Sequence, residues 1–87
     1  MRLSELKVKQ TAIIRQVHRT QTNNADQLDL IASRLENLGF VEGEKVTVIT
    51  KGIFGGDPIL VQLGFTRFAL RKNEAAKIEI NQTGEPT

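Results

Sequence analysis

The sequence predicts a mainly β fold with one α-helix: a small five-stranded barrel with the helix after the first strand. Three observations lead there. Residues 44–80 fall into four short runs of alternating apolar and polar side chains, separated by glycine, proline or asparagine. An earlier segment, with Leu28, Ile31, Leu35 and Leu38, repeats at helical spacing instead. The chain has 87 residues, so its strands are too few and too short for two stacked sheets. Curling into one barrel buries their inner faces.

Taken in order, Leu3-Ser4-Glu5-Leu6 suits a short helical turn with both leucines on one face. Thr11 to Val17 reads as the first strand, with Ile13 and Val17 on one face and Ile14 on the other. That impure alternation predicts a strand covered on both sides over part of its length. His18 to Asn24 is polar and reads as a connecting loop. Asn24 and Gln27 have the spacing of a capping box, which predicts a helix from about Ala25 to Leu38. Gly39 then ends it in the left-handed conformation, and Phe40 packs back on the last turn.

The remaining strands are expected at Glu44 to Lys51, Ile59 to Leu63, Arg67 to Arg71 and Lys77 to Ile80. Val46, Val48, Ile59, Val61, Leu63, Phe68, Leu70, Ile78 and Ile80 would point inward. Gly52, Gly55, Gly56, Asp57 and Pro58 suggest a long turn, and Gly64-Phe65 a two-residue hairpin with positive φ at its first position. Asn73 to Ala76 suits a single 3₁₀ turn, which in front of a last strand is the grammar of an SH3-like barrel. The expected organisation is one domain over residues 1–80 and a disordered tail over 81–87.

Composition excludes several classes. Without cysteine there is no disulfide framework, zinc finger, iron–sulfur cluster or thiol catalyst. The single histidine, His18, excludes a multi-histidine metal site within one chain. No apolar run nears the roughly 18 residues that span a membrane, and the first residues lack a signal-peptide pattern, so the expected location is cytoplasmic. The net charge of +2 is polarised: residues 2–19 carry +4 and residues 26–44 carry −4. No tight basic cluster with interleaved aromatics appears, which argues against a nucleic-acid partner. No nucleophile–base pairing is visible at any spacing, so no enzyme activity is expected.

Three stretches resemble a known family. They are Arg34-Leu35-Glu36-Asn37-Leu38-Gly39-Phe40-Val41-Glu42-Gly43-Glu44-Lys45-Val46, Gly56-Asp57-Pro58-Ile59-Leu60-Val61, and Phe68-Ala69-Leu70-Arg71-Lys72-Asn73-Glu74-Ala75-Ala76-Lys77-Ile78. Together with Leu3-Ser4-Glu5-Leu6-Lys7 they are similar to the ferrous iron transport protein A family, FeoA, over about residues 1–80. The resemblance implies a small cytoplasmic SH3-like protein working beside FeoB, a large membrane ferrous-iron permease with a G-protein-like cytoplasmic domain. Related domains end the iron-dependent repressors of the diphtheria-toxin-repressor type. The few residues ahead of the first expected strand hold no winged-helix pattern, so a repressor of that type is not expected.

The residues themselves divide into structural and binding candidates. Gly39, Gly43, Gly56 and Gly64 are turn positions. Leu30 lies off the apolar stripe, beside Arg34, as either an isolated exposed leucine or a contact anchor. Ile53, Phe54, Asp57 and Pro58 form an exposed turn that would complete a partner-binding surface with Leu30 and Arg34. Arg71 would meet a partner carboxylate or an internal one. Phe65, at a second tip, is either folded onto the core or exposed, and Glu74 caps or pairs within its turn. The expected function is a binding module on the FeoB-type permease, biasing its assembly or nucleotide-dependent state. The alternative is direct binding of ferrous iron as sensor or carrier. No cofactor is required, a weak divalent-metal site is left open, no metal ligands are assigned, and self-association is also open.

Overall fold

The computed structural model describes residues 1–19 and 29–82. Its strands are β1 (Thr11–Val17), β2 (Lys45–Phe54), β3 (Asp57–Leu63), β4 (Thr66–Leu70) and β5 (Ile78–Gln82). They form one antiparallel sheet in the order β4-β3-β2-β1-β5. A 3₁₀ turn at Leu3–Glu5 precedes β1, helix α1 (Leu30–Leu38) follows it, and a four-residue helix α2 (Lys72–Ala75) precedes β5. Five antiparallel strands and one main helix are present as the sequence predicts, but the helix and several strand bounds are placed differently.

The sheet does not close into the expected barrel. β4 and β5 stand at opposite ends of the strand order, with no ladder between them. The outer side of β5 is taken by the start of the chain instead. Ile80 N–H donates to the Met1 carbonyl at 2.8 Å, and Arg2 bridges Glu79. α2 packs on β3 and on the 3₁₀ turn, and Leu3, Leu6 and Ala75 join the common core.

In β1 the facing differs from the sequence reading. Ala12, Ile14 and Val17 are buried, while Ile13 is only half-buried. The register against β5 shifts between Ile14 and Gln16, and this bulge puts Ile14 and Val17 on the same side. Val46, Val48, Ile59, Val61, Leu63, Leu70, Ile78 and Ile80 face the core as expected, with Phe68 packed at its margin.

α1 begins later than expected. Asp29 has extended backbone, and its carboxylate accepts from Ala32 N–H at 3.0 Å, so Leu30 is the first helical residue. The capping pair expected at Asn24 and Gln27, and Leu28, lie outside the described residues. The buried face is Ala32 and Leu35 with Leu38 beside them, and Ile31 is exposed. Gly39 ends the helix at φ +114°, and Phe40 N–H donates back to the Leu35 carbonyl at 3.1 Å. The Phe40 ring is fully buried against Phe68, with centroids 5.4 Å apart.

The long turn expected over 52–58 is a tight hairpin. β2 runs to Phe54 and β3 starts at Asp57, leaving Gly55 and Gly56 at φ +66° and +86° as the only turn residues. Gly52 serves a close approach: a Cβ there would lie 2.4 Å from the Asp57 carbonyl oxygen. Pro58 falls in an irregular stretch of the ladder that pairs Lys51 with Ile59 and Phe54 with Asp57, a position that asks for no N–H. Gly64 does turn the next hairpin, at φ +61°. Two further boundaries move. Arg71 leaves the strand and caps α2, a turn of α-helix where a 3₁₀ turn was expected. β5 gains Asn81 and Gln82 from the expected tail, whose remainder lies outside the described residues.

Candidate docking surface

α1 is clamped at both ends of its exposed face. The Asp29 side chain is only 6% exposed and also receives the Lys77 ammonium at 2.5 Å, which ties the helix start to the turn before β5. One turn on, Arg34 donates to Glu74 Oε2 at 2.7 Å. Arg19 reaches Ser33 at 3.0 Å and pairs with Glu36. Between these clamps Leu30 projects with 72% of its surface exposed.

α2 is the hub beneath this face. The other oxygen of Glu74 accepts from Arg71 N–H at 2.8 Å, closing the first turn of α2. Asp57 Oδ1 accepts from Lys72 N–H at 3.0 Å. Asp57 therefore caps α2 from β3 rather than bonding its own backbone as a turn residue. An open cleft of about 450 Å³ lies between Asp57, Pro58, Ala69 and Arg71. A second, of about 550 Å³, is lined by Ser4, Asp57, Arg71, Lys72, Asn73 and Ala76.

The structure thus gathers Arg34, Asp57, Pro58 and Arg71 around α2. Arg34 is already committed to Glu74, whereas Arg71 is exposed and in no ion pair among the described residues. Ile53 stands 90% exposed near the end of β2. No hydrogen bond or ion pair among the described residues joins residues 53–56 to α1, and Phe54 is described through its backbone alone. Phe65 is fully exposed at its hairpin tip. Gly39, Gly43, Gly56 and Gly64 all have positive φ, as their turn roles require.

Sequence reasoning missed the clefts beside α2 and the setting of His18. Its Nε2 lies 2.5 Å from Glu79 Oε1, bridging β5 and the end of β1. That hydrogen bond, helped by Gln16 and Arg15, holds the Glu79 carboxyl below its ordinary value, against the opposing effect of desolvation. Nothing local signals a pair 61 residues apart in the chain. Among the described residues no three His, Asp or Glu side chains gather as a metal site.

The overall fold is shared with known proteins. The family model for the FeoA domain matches residues 1–82. The chain belongs to the FeoA family. It is 47% identical to FeoA of Stenotrophomonas maltophilia, covering 93% of this chain and 89% of that one, with a TM-score of 0.79. That protein was solved with zinc and is described as a prokaryotic SH3-domain protein, a candidate ferrous iron transport activating factor. FeoA of Chlorobium tepidum is 30% identical over 100% of this chain and 74% of its own, with a TM-score of 0.80. Iron(II) transport protein A of Clostridium thermocellum is 30% identical over 97% of this chain, with a TM-score of 0.78; the match spans 46% of its length. No match is found among curated proteins. The fold of this FeoA chain is accordingly SH3-like, with the sheet left open. No helix among the described residues is long and apolar enough to cross a membrane.

Proposed function

We propose that this chain is a cytoplasmic accessory module of ferrous iron uptake. It docks on the cytoplasmic side of an FeoB-type permease and biases the permease's assembly or nucleotide-dependent state. Family membership supports the link to iron transport. The observation that carries docking is Leu30, a large apolar side chain 72% exposed on a helix held by three ion pairs. The contact surface combines Leu30 and Arg34 with Ile53, Phe54, Asp57, Pro58 and Arg71. A partner carboxylate that engages Arg34 must compete with Glu74. Docking shifts the permease only by binding one of its states better than another.

The test is a titration of this protein into the soluble cytoplasmic part of the permease, with and without guanine nucleotide. Binding that depends on nucleotide is the expected result. Leu30→Asp should cost about 2 kcal/mol or more of binding free energy, as an anchor does. Undiminished binding by folded Leu30→Asp and Ile53→Asp variants would reject the surface.

One observation favours a second reading, direct binding of ferrous iron: the S. maltophilia relative was solved with zinc. In this chain the single histidine, His18, lies against a carboxylate, with its Nε2 2.5 Å from Glu79 Oε1. Anaerobic equilibrium dialysis with iron(II) decides it. Stoichiometric retention that is lost in His18→Ala supports direct binding, and no retention removes it.

A further inference from the structure

Among the described residues, one edge of the sheet, that of β4, is left free. Among the described residues, β4 makes no backbone hydrogen bond beyond its ladder to β3. The register tells which of its groups point outward. Leu63 and Thr66 flank the two-residue turn and form a hydrogen-bonded pair. Alternation then makes Val61 with Phe68, and Ile59 with Leu70, hydrogen-bonded pairs as well. Gln62 with Arg67, and Leu60 with Ala69, exchange no bonds. The N–H and C=O of Arg67 and Ala69 therefore face away from the sheet.

The side chains along this edge have a pattern of their own. Arg67 and Ala69 lie on the face of β4 opposite Leu70, Arg71 follows just beyond the strand with its backbone still extended, and all three are exposed. Neither Arg67 nor Arg71 is ion-paired among the described residues, and the Lys72 ammonium that follows is in no ion pair there either. Ala69 is small, and the cleft between Asp57, Pro58 and Arg71 opens over it.

We propose that the free edge of β4 is an addition site for an extended acidic peptide segment, which joins the sheet as a sixth strand. Its backbone pairs with Arg67 and Ala69. Two carboxylates four residues apart meet Arg67 and Arg71, and an apolar residue between them sits over Ala69. A second copy of this chain is the wrong occupant. Pairing two β4 edges would set both copies' arginines on one face across a strand spacing of about 4.8 Å, and like charges so placed repel. The site does not depend on the permease reading, and its test needs no permease.

The probe is a synthetic peptide, Thr-Glu-Thr-Val-Thr-Glu-Thr, with lysine-for-glutamate and glutamine-for-glutamate versions as controls. It is titrated into the full isotope-labelled chain and followed by amide chemical shifts and hydrogen exchange. The glutamate peptide should perturb and protect the Arg67 and Ala69 amides, and should weaken with added salt. Its Kd should rise about tenfold or more in the double variant Arg67→Gln, Arg71→Gln, and similarly in Ala69→Pro. Proline at 69 removes an outward donor and spares the ladder to β3. Should that variant fail to fold, the arginine pair still decides. Equal binding of the lysine peptide, no binding up to about 1 mM, or shifts confined to other elements would overturn the proposal. So would a concentration-dependent dimer abolished by the same variants.

Discussion

The seam around α2 joins elements of three and four residues, whereas the β2–β3 hairpin joins strands of ten and seven, and different forces hold the two. In the seam, Leu3, Leu6 and Ala75 are fully buried. Charged groups far apart in sequence meet there: Asp29 with Lys77, Arg34 with Glu74, and the Arg2 guanidinium with the Ala76 carbonyl at 3.2 Å. Toward its tip the hairpin has two positive-φ glycines, a glycine packed against the opposite backbone, and a bare Ile53. The difference teaches where stability and surface are kept. The seam buries apolar area and locks three elements together, while the hairpin tip relies on backbone geometry and keeps its side chains outside.

The sharpest way to break that comparison is Leu3→Ala. It empties a fully buried site of the seam and should cost about 2–5 kcal/mol in a denaturant unfolding experiment. Next comes Gly52→Ala, whose Cβ would meet the Asp57 carbonyl oxygen at 2.4 Å. The strands must separate there, at about 1–3 kcal/mol. Hydrogen-exchange protection should fall near Lys51 and Ile59 and persist at Ile80. If both regions loosen together, the two are one cooperative unit and the distinction fails.

A titration sharpens it further. The Glu79 carboxyl lies below its ordinary value of 4.5 in the folded chain, chiefly through its hydrogen bond to His18. The carboxylate therefore contributes stability that is fully present above 4.5 and is lost as the pH falls through the lowered value. Unfolding curves of the native chain and of Glu79→Gln should converge as the pH drops below 4.5. A gap that stays constant would show the contact to be without effect. The smallest effect belongs to Ile53→Ala, expected within about 0.5 kcal/mol of the native chain. A larger loss would mean that the hairpin side chain packs after all.

Much of the fold was legible because it follows from patterns of period two and a few glycines. Ile59, Val61 and Leu63 could hardly face anywhere but inward, and Gly39 and Gly64 mark turns that other residues resist. The exceptions have a common cause: they are settled by partners distant in sequence. A bulge leaves no trace in composition, so Val17 is grouped with Ile13 in the sequence although it shares the buried side with Ile14. Gly52 and Pro58 look like loop residues, but one permits a close backbone approach and the other sits where the ladder is irregular. The barrel stays open because Met1 and Arg2 take the edge of β5, a pairing across nearly the whole chain. Of the candidate site, the exposure of Leu30 and Ile53 was readable from their places off the apolar patterns. The capping of α2 by Asp57 and the pairing of Arg34 with Glu74 were not, since both join separate elements.

The clamps on α1 have a consequence for rates. Asp29–Lys77 holds one end of the helix, Arg34–Glu74 its middle, and Arg19–Glu36 the last turn. A helix held at three points can neither slide along its axis nor roll without breaking ion pairs. The backbone that carries Leu30 is thus in place before any encounter, which lowers the ordering entropy to be lost on contact. Association through it would resemble the meeting of two rigid bodies, limited by how often they collide in the right orientation rather than by a slow rearrangement of this chain.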